Sequence, residues 1–138
     1  MTLSSPPDPS GFIADLGIER TLWRPGQSRL ELTVTEDHLN KGGVAHGGIH
    51  MVLLDSALGS ALVASLKVEE WCATTQLSTS FLSPARPGER LVAEGRVVRR
   101  GKHVAHLAGE VRVGERLVAT ATGTWAIWSS RPPSLNGN

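Results

Sequence analysis

Asp55 stands alone among apolar residues. Between Ile49 and Leu62 the chain is dominated by Met51, Val52, Leu53, Leu54, Ala57, Leu58 and Ala61, and the stretch is entered through His46, Gly47 and Gly48. Burying an unpaired charge is unfavourable, so a carboxylate here is either a costly core residue or a working group. A desolvated carboxylate is a stronger base or nucleophile, which suits attack on an acyl group near neutral pH. Met51, Leu54, Leu58 and Leu62 are expected to share a helix face with Asp55 and desolvate it. The alternative is an aspartate turned to solvent or bonded to a neighbouring strand.

Gly47 and Gly48 would open that helix, where amides lack intrahelical acceptors and the macrodipole favours negative charge. Without side chains they let a substrate approach the backbone closely. A carbonyl under attack gathers negative charge on oxygen, and donors aimed at that oxygen stabilise it. Gly47 is therefore the candidate donor, with Gly48 beside it as a substrate contact. Asp55 follows Gly47 by eight residues, which is about 12 Å along a helix rising about 1.5 Å per residue. One acyl carbon cannot touch both groups of the same chain. If both act on one acyl group, Asp55 comes from a second copy with an antiparallel helix, and a two-fold axis then creates two equivalent sites.

The elements that must hold these groups follow from periodicity. Gly11 to Gly17 reads as a short helix ended by glycine. Arg29 to Thr35 alternates Leu30, Leu32 and Val34 with polar residues, the period of a half-buried strand. Glu36 to Ala45 is a loop, and Gly48 to about Leu66 is one buried helix. Strands follow at Trp71 to Leu82, Leu91 to Val98, Val104 to Val113 and Leu117 to Trp128, divided by Pro84 to Gly88 and by short polar connections that favour antiparallel hairpins. The tail from Arg131 is expected to fray. One long helix and a meander of strands pack economically when the sheet curls around the helix, an α+β architecture.

The chain has 138 residues, 14 basic against 13 acidic, a net charge of +1 and one cysteine. One domain over residues 1–138 is expected, with its core at about 29–128 and flexible termini. Near-neutral charge argues against a nucleic-acid partner. The lone Cys72 excludes an internal disulfide and fits a reducing cytosol. The start lacks an apolar leader segment and no stretch reads as a membrane span, so a cytoplasmic protein is expected.

Asn40, the run His46, Gly47 and Gly48, Asp55, Thr74, and the turn from Phe81 through Ala85 to Gly88 together resemble the hotdog-fold acyl-CoA thioesterases. The likeness covers roughly Leu30 to Thr124, and the nearest branch is the phenylacetate-pathway type with its animal relatives. The resemblance implies hydrolysis of an acyl-CoA, with aromatic or short to medium acyl groups, to free acid and coenzyme A, which is part of the substrate; no separate cofactor is implied. It implies Gly47 as the polarising amide, Asp55 as general base or nucleophile, and paired hotdogs joined edge to edge as a homodimer, often a dimer of dimers. It puts Asn40 near the thioester or attacking water and His46 at the loop and thioester region. Asn40 could equally be an ordinary turn residue, and His46 merely a helix-start residue. A bacterial relative carries a water-positioning hydroxyl one turn after its acid, where this chain has Gly59. Thr74, Ser56 or Ser60 would then supply the hydroxyl, although a β-branched residue at 74 is also simply a good strand former.

Other groupings carry less. His46 and His50 have the i, i+4 spacing of two metal ligands but lack a third ligand, so no metal is expected. Arg99, Arg100, Lys102 and His103 cluster at a hairpin and could hold coenzyme A phosphates or be simply solvated. Met51, Leu77 and Phe81 suggest an apolar acyl pocket. Cys72 has no evident base and is a poor nucleophile candidate. Two rival readings are a non-catalytic acyl-CoA sensor and a hotdog dehydratase or hydratase. The residues before Arg29 are too few for the DNA-binding module of a transcriptional sensor, and the spacing from His46 to Asp55 does not fit the dehydratase pattern.

Overall fold

The computed structural model describes residues 1–9 and 11–135. A short helix α1 (Gly11–Asp15) leads into strands β1 (Glu19–Arg24) and β2 (Gln27–Thr33), then a 3-10 turn at Glu36–His38 and the long helix α2 (Gly47–Val63). Four strands follow: β3 (Trp71–Phe81), β4 (Arg90–Arg100), β5 (Val104–Val113) and β6 (Arg116–Trp128). They form one six-stranded antiparallel sheet in the order β1-β2-β4-β5-β6-β3. Helix α2 contacts all six strands, so the expected α+β arrangement of a sheet wrapped around one helix is what the chain adopts. Among the described residues no helix is long and apolar enough to cross a membrane.

Strand β1 is not among the strands that periodicity predicts. Its six residues, Glu19 to Arg24, place Leu22 and Trp23 side by side and so break strict alternation. The signal that was present is Pro25 followed by Gly26, between the paired residues Arg24 and Gln27. Proline presets the first turn position, and glycine takes the left-handed second one at φ 79°. Helix α2 also starts one residue earlier than expected and stops at Val63 rather than near Leu66. The expectation of a frayed tail falls partly on residues 136–138, outside the described residues; before them, Pro133–Leu135 forms a 3-10 turn.

The core lies between α2 and the concave face of the sheet. Leu53, Leu54, Ala57, Leu58, Ala61 and Leu62 are fully buried against Leu30, Leu32, Leu91, Ala93, Leu107 and Trp125. The closest approach is at β4, where a Cβ on Gly95 would lie 2.6 Å from the Ala57 carbonyl. That contact fixes how deeply the middle of α2 sits, and therefore where Asp55 emerges. The opposite stripe of α2, formed by Gly48, Met51, Val52, Asp55, Ser56, Gly59 and Val63, is half-buried or exposed in a single copy. It flanks β3, an edge strand whose outer side has no strand partner among the described residues.

Candidate active site

The start of α2 is built by its own loop. Leu39 pairs with Ala45, and Asn40 closes the loop between them by donating its N–H to the Val44 carbonyl at 2.8 Å. The Asn40 side-chain oxygen accepts the Gly42 amide at 2.8 Å and the Val44 amide at 3.4 Å. Asn40 therefore does serve as a turn residue, and this leaves its NH2 group as the part not used by the loop. The His46 amide donates to the His38 carbonyl at 2.8 Å. His46 then caps the helix, its Nδ1 accepting the Gly48 amide at 2.8 Å. Gly48 is thus an occupied donor, whereas the Gly47 amide makes no hydrogen bond among the described residues. A Cβ at Gly47 would sit 3.3 Å from the Phe81 ring. Gly47 lines a cleft of about 350 Å³ with Asn40, His50, Phe81 and Pro84.

Asp55 lies two turns further along, in a different place. Its Oδ1 accepts a hydrogen bond of 2.6 Å from Thr74 Oγ1 on β3. A β-bulge between Thr74 and Gln76 makes that contact possible. Cys72 and Thr74 lie opposite Ile127 and Trp125, while after the bulge Leu77 and Thr79 lie opposite Gly123 and Ala121. The extra residue, Thr75, ties its hydroxyl to the Thr124 carbonyl at 3.0 Å. Alternation is reset there, and Thr74 is kept on the helix side of an edge strand.

The desolvation expected of Asp55 needs correction. Leu54, Leu58 and Leu62 are fully buried, but Asp55 is only half-buried, and Met51 is 40% exposed. The leucines point into the core while Asp55 sits on the flank of that face, lining a cavity of about 430 Å³ with Ser56, Gly59, Thr74 and Trp125. A Cβ at Gly59 would meet Trp125 Nε1 at 3.5 Å, an ordinary contact, so packing does not require glycine there. Ser56 and Ser60 both line the Asp55 cavity, and Ser60 Oγ there accepts a bond from Arg20 Nε at 3.0 Å.

Residues 42–122 match the family model described as "Thioesterase superfamily". The chain belongs to that superfamily. It is a thioester hydrolase with the hotdog fold. An esterase-family protein of Pseudomonas aeruginosa is 37% identical over 96 residues, 70% of this chain and 72% of that one. Human acyl-coenzyme A thioesterase 13 is 31% identical over 81 residues, 59% of this chain and 57% of that one. Among solved structures, an Asn-to-Asp variant of the phenylacetic acid degradation protein PaaI from Thermus thermophilus superposes with a TM-score of 0.79 at 29% identity, covering 83% of this chain and 96% of that one.

Within this thioesterase the remaining candidates scatter. Arg100 pairs with Glu70 at 2.6 Å, and Arg99 and Lys102 are exposed beyond both clefts. His46 Nδ1 is engaged with Gly48, and His50 is buried near the Phe81 ring with centroids 6.3 Å apart. Burial, with the Asp55 charge adding to it, pushes the Cys72 thiol up to about 11, so the thiolate needed of a nucleophile is scarce near neutral pH. Three contributors escaped the sequence reading. Arg20 and the segment Pro7 to Pro9 wall the Asp55 cavity, and Trp125 forms part of its lining. Nothing in their local sequence links them to Asp55, since long-range packing brings them there.

Proposed function

We propose that this thioesterase hydrolyses acyl-CoA thioesters to the free acid and coenzyme A in a site shared by two copies of the chain. The observation that carries the reading is the open Gly47 amide at the start of α2, with the Asp55–Thr74 pair in a separate cavity about 12 Å further along the same helix. Pairing β3 of one copy with β3 of another in antiparallel fashion would cover the exposed edge and run the two α2 helices in opposite directions. Gly47 of one copy would then face Asp55 of its partner. A homodimer is the minimal active unit, and a dimer of dimers is compatible with it. The name of the human relative, an acyl-coenzyme A thioesterase, supports the substrate class.

In the mechanism, the Gly47 N–H polarises the thioester carbonyl. Asp55 acts as general base or nucleophile. As base it takes a proton from water as the water oxygen adds to the carbonyl carbon. Thr74 donates its hydroxyl proton to Asp55, so its oxygen is free to accept a hydrogen from that water and hold it. When the carbonyl re-forms, the C–S bond breaks and the thiolate of coenzyme A leaves, taking up the proton that Asp55 took from the water. Asn40, through its free NH2 group, and His46, through the cap it provides, shape the thioester end. Met51 contributes to the apolar wall, and Arg99 and Lys102 are the cations left for the coenzyme A phosphates. Free-thiol release from benzoyl-, phenylacetyl-, short-chain and medium-chain CoA thioesters tests the activity and ranks the acyl groups. No release from any of them would overturn the reading.

A further inference from the structure

His50 is 4% exposed, yet among the described residues its Nδ1 has no hydrogen-bond partner. The imidazole lines the same cleft as Gly47 and Asn40. With Nδ1 sealed from the surface, Nε2 is the polar atom left to face that cleft. Side chains on a helix lean toward its N-terminus, so a ring three residues after Gly47 lies over the turn that Gly47 opens. An imidazole left unsatisfied in an apolar wall is unfavourable unless something else bonds to it.

Its protonation state follows from where it sits. Burial lowers the basicity of His50 below that of an ordinary histidine, so the ring is neutral near neutral pH and carries one proton. A buried N–H without an acceptor is rarer than an acceptor without a donor. The proton therefore belongs on Nε2, leaving only a lone pair at the sealed Nδ1. Nε2–H is then a neutral donor beside the cleft.

The helix start is where such a donor would act. Oxyanions are stabilised by convergent N–H groups, and here His46 occupies the Gly48 amide, so the Gly47 amide is the open backbone donor, while Asn40, its NH2 group unused by the loop, lines the same cleft. We propose that His50 Nε2–H is a further donor to the thioester carbonyl oxygen, forming an oxyanion hole with the Gly47 amide. This rests on the thioesterase reading above. As the water oxygen adds to the carbonyl carbon, the carbonyl electron pair moves onto oxygen and both N–H groups bond to it without giving up their protons. As the carbonyl re-forms, the charge passes to sulfur. Phe81 lies close to both Gly47 and His50 and lines the same cleft.

The test is steady-state thiol release by the dimeric wild type and by His50→Gln, His50→Asn and His50→Phe, using whichever acyl-CoA the wild type cleaves fastest. Glutamine can present an N–H where Nε2 stands, whereas asparagine presents one only near Nδ1. The expected result is a fall in kcat of about a hundredfold for His50→Phe and His50→Asn, typical of losing one oxyanion donor, with KM little changed and kcat largely kept by His50→Gln. Wild-type kcat in His50→Asn, or an equal loss in His50→Gln and His50→Asn, would overturn the assignment. The asparagine and glutamine pair decides the question even if His50→Phe fails to fold. A wild type that releases no thiol would instead overturn the thioesterase reading itself.

Discussion

Thr74 Oγ1 donates to Asp55 Oδ1 at 2.6 Å, joining the edge strand β3 to the middle of α2 through two residues 19 positions apart. The bond engages one carboxylate oxygen and leaves the other for water. It also orients the acid from the strand proposed to meet the second copy, so acid geometry and assembly are coupled.

Asp55→Asn keeps the shape of the side chain but cannot act as base or nucleophile. Turnover is expected to fall at least about a hundredfold with KM nearly unchanged and the fold intact. Thiol release and circular dichroism on the same preparation check this, and wild-type turnover in the folded variant would move the catalytic role to another residue.

Thr74→Val preserves the β-branched shape that suits a strand and removes the hydroxyl. The expected loss is smaller than at Asp55, about 1–2 kcal/mol of transition-state stabilisation. Thr74→Ser should recover most of the rate. Equal rates for the valine and serine variants would make Thr74 a strand residue only.

Gly95→Ala tests the seating of α2. The added Cβ would meet the Ala57 carbonyl at 2.6 Å, where backbone on both sides leaves no flexible chain end to yield. Overpacking of this kind costs about 1–3 kcal/mol, so Tm should drop by several degrees in a thermal melt.

Cys72 gives a pH dependence of stability. Its thiol is raised from the ordinary 9.0 to about 11 in the fold, chiefly by burial and further by Asp55. Above about pH 9 the unfolded chain releases a proton that the folded chain keeps, so this contribution is complete below pH 9 and is lost as pH rises toward 11. Denaturant unfolding of wild type and Cys72→Ala across pH 8 to about 10.5 should show the wild type losing stability more steeply, by at most about 1.4 kcal/mol per pH unit. Parallel slopes would contradict the assignment.

Most of the framework is legible in the sequence because it rests on local periodicity. The alternation of Leu30, Leu32 and Val34, and of the apolar positions in β5 and β6, follows directly from which face is buried. The loop and helix start around Asn40, His46 and Gly47 are legible because capping acts over only a few residues. The bulge at Thr75 is not, since Thr74, Thr75 and Gln76 are all plausible on either face, and only the register with β6 decides. The partial exposure of Asp55 escaped for a related reason. Helical spacing relates Asp55 to Leu58 and Leu62, but α2 is apolar nearly all round, so spacing alone does not say where the core face ends. His50 is visible beside His46 at the i, i+4 spacing of two metal ligands, with no third ligand to make a metal site; its burial beside Phe81 depends on the packing of β3.

The shared site is tested most directly with mixed dimers. Gly47→Pro deletes the polarising N–H at the first position of α2, where proline is well tolerated, and His46 before it already has the extended backbone a proline requires, with ψ 139°. Gly47→Pro and Asp55→Asn homodimers are each expected to be nearly inactive. A mixed dimer carrying one of each, isolated through different affinity tags, rebuilds one intact site from the Gly47 of one copy and the Asp55 of the other. About half the wild-type turnover per dimer is expected from that mixture. Mixed dimers as inactive as the two parent homodimers would contradict it, placing both groups of each site on one chain.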